Sequence, residues 1–147
     1  MRKRCLFAFV IVIMVVLLTS CSVTHRISNQ ESKAYSKEAL AIENVEKVVV
    51  SFTRPSVSIG VFVNENFNEQ SETTLLELTK VYVTVGNMEK IAQKVKWNLE
   101  IISVLLEIKS AKSRERITVY EAEYFKAYNA TDRSEKNIDG YKTWRQW

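Results

Sequence analysis

Thr73-Thr-Leu-Leu-Glu-Leu-Thr-Lys-Val-Tyr-Val-Thr-Val85 decides the fold, because it reads as helix or as strand. Leu75, Leu78, Tyr82 and Val85 are spaced 3, 4 and 3, the apolar stripe of a helix. Lys80 to Val85 alone also suits a strand, with Val81, Val83 and Val85 on one parity against Tyr82 and Thr84. The longer helical stripe is the stronger pattern. Met88, Ile91, Ala92 and Val95 continue it beyond Gly86-Asn87, where Asn87 could cap a second helix. The segment 71–97 is therefore expected to be one long or broken helix.

The flanking stretches read as strands, the first from its β-branched run Val48, Val49 and Val50. Val45 to Phe52 reads as a strand, and Pro55 ends it because proline cannot donate to a ladder. In Ser56 to Val63, Val57, Ile59, Val61 and Val63 take one face. Leu99 to Lys109 follows, with Ile102, Val104, Leu106 and Ile108 on one side. Arg116 to Lys126 is mixed: a face-switching bulge, or a core face of Tyr120, Ala122 and Tyr124, would each account for it. The expected fold is α+β, a four-stranded antiparallel sheet in ββαββ order with the helical segment on one face. Its expected boundaries are a signal helix at 1–20, a flexible tether at 21–44, the folded domain at 45–127, and a polar, aromatic tail at 128–147. Within the tether, Ser36 to Glu43 could form a short helix with Ser36 as N-cap.

The N-terminus carries the most specific signal. Met1-Arg-Lys-Arg4 is basic, Cys5 to Leu18 is uncharged and apolar, and Thr19-Ser20 are small. This is the order of a secretory signal. Fourteen residues make about 21 Å of helix, short of a ~30 Å hydrocarbon core. Leu18-Thr19-Ser20-Cys21 resembles the lipobox of bacterial membrane lipoproteins. The resemblance implies diacylglycerol on the Cys21 thiol, cleavage just before Cys21, and in many bacteria an acyl group on the new amino terminus. It implies that Leu18, Thr19 and Ser20 are read by the signal peptidase, the small pair admitting it to the backbone. It places the protein lipid-anchored on the exported side of the cell membrane. Ser22 is compatible with an outer membrane where there are two. The order of the later elements loosely resembles small uncharacterised lipoproteins of Gram-positive bacteria, and that likeness carries no function.

Cleavage changes the charge account. The whole chain has 21 basic and 17 acidic residues and a pI of about 9.1. Arg2, Lys3 and Arg4 leave with the signal, so the mature 127 residues carry 18 basic and 17 acidic groups. The basis for a nucleic-acid partner disappears with them. After Cys21 there is no cysteine, and the lone histidine is His25. No disulfide, thiolate metal site, His-based catalytic constellation or cofactor motif is expected.

The remaining candidates are few. Tyr141, Trp144 and Trp147 sit with Lys142 and Arg145, residue types enriched at binding hot spots and membrane interfaces. Glu121 and Glu123 share one strand face and could serve as acid or base. The expected function is a non-enzymatic binding or assembly module of the cell envelope. It would contact the membrane through its lipid, and an envelope protein partner. The alternatives are a carboxylate-dependent envelope hydrolase, and an accessory or immunity-type lipoprotein of a secretion or conjugation system.

Overall fold

The computed structural model describes residues 23–127 and 131–147. Leu18, Thr19, Ser20 and Cys21 lie outside the described residues. The elements in chain order are β1 (Thr24–Arg26), α1 (Gln30–Leu40), β2 (Val45–Thr53), β3 (Ser56–Val63), α2 (Glu69–Tyr82), α3 (Val85–Lys94), β4 (Ser103–Ser110), β5 (Arg116–Glu123) and β6 (Trp144–Gln146).

The expected four-stranded antiparallel sheet is overturned. Among the described residues the sheet has six strands in the order β1-β2-β3-β4-β5-β6, and it is mixed. β3 and β4 run parallel, from Ser56 beside Ser103 to Val63 beside Ser110. The other neighbours are antiparallel. The reason lies in the connection. A chain that leaves β3 and returns through two helices re-enters the sheet at the end where β3 began, as parallel crossovers do. The two added strands have three residues each, too few for a period to show.

The expected flexible tether is corrected as well. Residues 24–26 form an edge strand, and 30–40 form a helix with Tyr35 and Ala39 buried. The cap is Asn29, not Ser36. The Asn29 side chain accepts from the Ser32 N–H at 2.9 Å, and the Ser32 hydroxyl accepts from the Asn29 N–H at 3.0 Å. This reciprocal box satisfies two donors that a helix start leaves open.

The helical segment is broken, three residues ahead of the expected point. Asn68 caps α2, accepting from the Ser71 N–H at 2.9 Å, and Glu69 and Glu72 occupy its positive end. Val83 and Thr84 leave the helix, and the Thr84 hydroxyl caps α3. Asn87 lies inside α3, where its amide donates to the Tyr82 carbonyl at 2.8 Å and ties the two helices together.

The core lies between the sheet and the helices. Register aligns Phe52 with Val57, Val104 and Ala122, then Val50 with Ile59 and Leu106, then Val48 with Val61 and Ile108. All of these are buried. A register shift opposite Ile108 and Lys109 admits an extra residue in β5. Both readings of 116–126 therefore hold in part: Tyr120 and Ala122 face the core, and a bulge turns Arg116 toward the other face. Each buried aliphatic side chain contributes about 1.5–3 kcal/mol relative to exposure.

Candidate functional site

Three surfaces could carry function. The first surrounds Glu121 and Glu123 on the sheet face opposite the helices. With Phe125, Lys126, Asp139 and Arg145 they line a cavity of about 200 Å³. Both carboxylates are engaged. Glu121 accepts from the Trp147 indole N–H at 3.0 Å. Glu123 lies 3.8 Å from the Arg145 guanidinium. Asp139 accepts from the Thr143 N–H at 2.8 Å and the Thr143 hydroxyl at 3.0 Å. Burial pushes Asp139 up, but these bonds, the Lys142 backbone and the Lys126 charge outweigh it and hold the carboxyl below its ordinary range. The cluster clasps the C-terminal strand onto β5.

The second surface is a cleft of about 390 Å³ between α3, residues 97–101 and the C-terminal segment. Met88, Ala92, Trp97, Leu99, Tyr124 and Tyr141 form its apolar walls. Tyr141, expected as an exposed contact, is buried, and its hydroxyl donates to the Ile101 carbonyl. Gly140 and Tyr141 both have positive φ, 63° and 64°, and a Cβ on Gly140 would stand 3.3 Å from Val85. That double left-handed turn aims the Tyr141 ring inward. Burial raises its phenol above the usual range. Trp97 donates through its indole to the Glu100 carbonyl at 3.2 Å. The Glu100 carboxylate accepts two bonds from Arg133, at 2.8 and 3.0 Å. The loop 97–101 is thus pinned from both sides.

The third surface is the sheet end where β1 begins. Thr24 pairs with Thr53, Ser56 with Ser103, and Ser103 with Glu123, so these residues share one end. The Arg54 guanidinium sits 5.3 Å over the Trp97 ring, and Trp97 packs against Phe52. The Ile102 N–H donates to the Pro55 carbonyl at 2.9 Å. The loop carrying Lys96 and Leu99 is thereby fixed beside the β2–β3 turn.

The other tail candidates are divided. Trp144 is half-buried against the core, and Trp147 is 71% exposed. Phe62 is half-buried under the Lys47 ammonium, 5.3 Å from its ring. Trp97, Leu99 and Val23 were not singled out from sequence as site residues: Leu99 reads there as the start of a strand, and in the fold both Leu99 and Val23 are exposed.

Glu107 is a further residue that sequence did not select. It is buried on the face opposite the helices, 2.8 Å from Lys109 and 2.8 Å from Arg116. The β5 bulge is what brings Arg116 there. Among the described residues no group of three or more His, Cys, Asp or Glu could hold a metal, and no helix is long and apolar enough to cross a membrane. No protein-family model, curated protein or solved structure matches the chain.

Proposed function

We propose that this chain is a lipid-anchored cell-envelope protein acting as a non-enzymatic binding or assembly module at the membrane surface, on the exported side. The observation that carries it is the run from Leu18-Thr19-Ser20-Cys21 directly into the fold. Only Ser22 and Val23 separate Cys21 from β1. At about 3.3–3.6 Å per residue the chain spans at most about 10 Å there. Diacylglycerol on Cys21 would hold the domain at the headgroups, with no free linker. Anchoring concentrates a domain near membrane partners without any new contact.

The surface offered to an envelope protein is the sheet face that no described helix covers. There Val49, Phe62, Leu105 and Val119 lie among Lys47, Arg116, Glu121 and Arg145. Half-buried apolar groups ringed by charges of both signs suit a protein partner better than a polyanion.

Mass spectrometry of the N-terminal peptide from membranes tests the anchor. A chain starting at Cys21 with a thioether-linked diacylglycerol is expected, and Cys21→Ser should release the protein from the membrane fraction. An unmodified Cys21 or a retained Met1 overturns the proposal. Crosslinking from Leu105 in intact cells tests the binding face, and repeated absence of any envelope partner counts against it.

A further inference from the structure

We infer that the sheet end carrying Val23, Arg54, Lys96, Trp97 and Leu99 rests against the lipid surface, with Trp97 and Leu99 meeting the headgroup layer beside the Cys21 anchor. This rests on the lipid-anchor proposal and adds an orientation to it. The anchor fixes which end is close. Val23 precedes β1, and Thr24 pairs with Thr53 at the β2–β3 turn. A tether of about 10 Å cannot carry that end away from the bilayer. The sheet's other edge is five strand spacings off, about 24 Å.

The chemistry of this end suits a lipid interface. Val23 is 62% exposed and Leu99 is 53% exposed, both large apolar groups. Trp97 is half-buried, with one side on Phe52 and Arg54 over its ring. Tryptophan favours the headgroup level, where its ring is partly dry and its N–H is satisfied. Arg54 and Lys96 are exposed and positive, and cations beside an anionic leaflet are attracted to it. The nearest acidic group on the loop, Glu100, is spanned by Arg133 and adds little repulsion. Trp147 offers an internal contrast. It lies on the far edge and bonds to Val119, about four residues, or ~13 Å, up the strand from this end.

The test uses the lipidated full chain in vesicles of phosphatidylethanolamine and phosphatidylglycerol, with part of the lipid brominated near the headgroup. Trp144→Phe with Trp147→Phe leaves Trp97 as the reporter; Trp97→Phe with Trp144→Phe leaves Trp147. Mass spectrometry of the same sample first shows whether Cys21 is lipidated, and an unlipidated Cys21 defeats the anchor proposal itself. With lipid present, Trp97 emission should be quenched several-fold more than Trp147 emission. Equal quenching, or stronger quenching of Trp147, overturns the orientation. Lys96→Glu with Leu99→Asp, shown folded by circular dichroism, should restore most of the Trp97 emission. Unchanged quenching in that variant also overturns the assignment.

Discussion

The segment before β2 and the segment after β5 look alike in composition, polar and rich in charge, yet the fold uses them differently. Residues 24–40 add an edge strand and a helix, and they bury Ile27, Tyr35 and Ala39. Residues 131–147 add the short β6, the half-buried Trp144 and a set of polar clasps around one buried ring, Tyr141. Tyr35 and Ala39 are four apart, so both fall on one helix face. Tyr35 stacks on Tyr82 with ring centroids 4.5 Å apart, and its hydroxyl meets that of Thr79 at 2.9 Å. The lesson is that a polar segment joins a core when two or three apolar groups share the right face. Average polarity does not decide it.

The widest gap between the segments should appear on truncating Tyr35. Tyr35→Ala removes a buried ring and leaves the buried Thr79 hydroxyl with a partner fewer, and should destabilise by about 3–5 kcal/mol. Urea unfolding monitored by circular dichroism would measure it, and a loss below 1 kcal/mol would mean that α1 is not part of the cooperative core.

Alkaline pH probes the same contact without mutation. Burial pushes the Tyr35 phenol up to about 12, against 10.0 for a free tyrosine. The folded state therefore holds its proton more tightly than the unfolded chain. That stability is complete below pH 10 and is lost as pH rises through the folded value, about 2 kcal/mol by pH 12. Absorbance at the phenolate band, followed with the thermal midpoint, should show ionisation coupled to unfolding. The chain has six tyrosines, so the Tyr35 signal is read as the difference from Tyr35→Phe, and a difference signal near pH 10 in the folded protein would contradict it.

On the C-terminal side, Tyr141→Phe keeps the ring and removes its bond to Ile101. Leaving that buried carbonyl short of a donor should cost about 1–3 kcal/mol. Hydrogen exchange should show the loss at residues 139–147 before it reaches α1. Uniform loosening of both segments would erase the distinction between them.

A smaller effect is expected at the α1 cap. Asn29→Ala opens the reciprocal box and should cost about 1 kcal/mol. Asn29→Ser should recover most of it in the same unfolding assay. The smallest change is expected at Tyr82, whose hydroxyl is buried without a hydrogen-bond partner among the described residues. Tyr82→Phe should be neutral or stabilising by up to about 1 kcal/mol, because it removes a desolvated polar group and keeps the stacking. A clear destabilisation would identify a partner for that hydroxyl.

Legibility in the sequence followed the range of the interactions involved. Strand β2 announces itself through β-branched Val48, Val49 and Val50, strand β3 through alternation, and the helical stripe through 75–82 is visible at spacings of 3 and 4. The site residues were less accessible. Glu121 and Glu123 could be placed on one face, but their commitment to Trp147 and Arg145 depends on a strand that returns from residue 144. Tyr141 looked like an exposed aromatic because its burial depends on Ile101, forty residues away. Thr79 is fully buried, and the Tyr35 hydroxyl that meets it comes from another helix, 44 residues away in sequence.

The sequence by itself determined what is encoded locally: the alternating faces of the central strands, the helix between them, and the Leu18-Thr19-Ser20-Cys21 resemblance. Period and motif need only near neighbours. The tertiary structure alone decided that β3 and β4 run parallel, that three-residue strands extend both edges, and that a tether and a tail become parts of the fold. Strand partnership is a contest among distant segments, settled by which pairing buries the most apolar surface and satisfies the most backbone. A three-residue strand carries too little pattern to declare its partner. Only the assembled sheet places Val23, Arg54, Trp97 and Leu99 at one end.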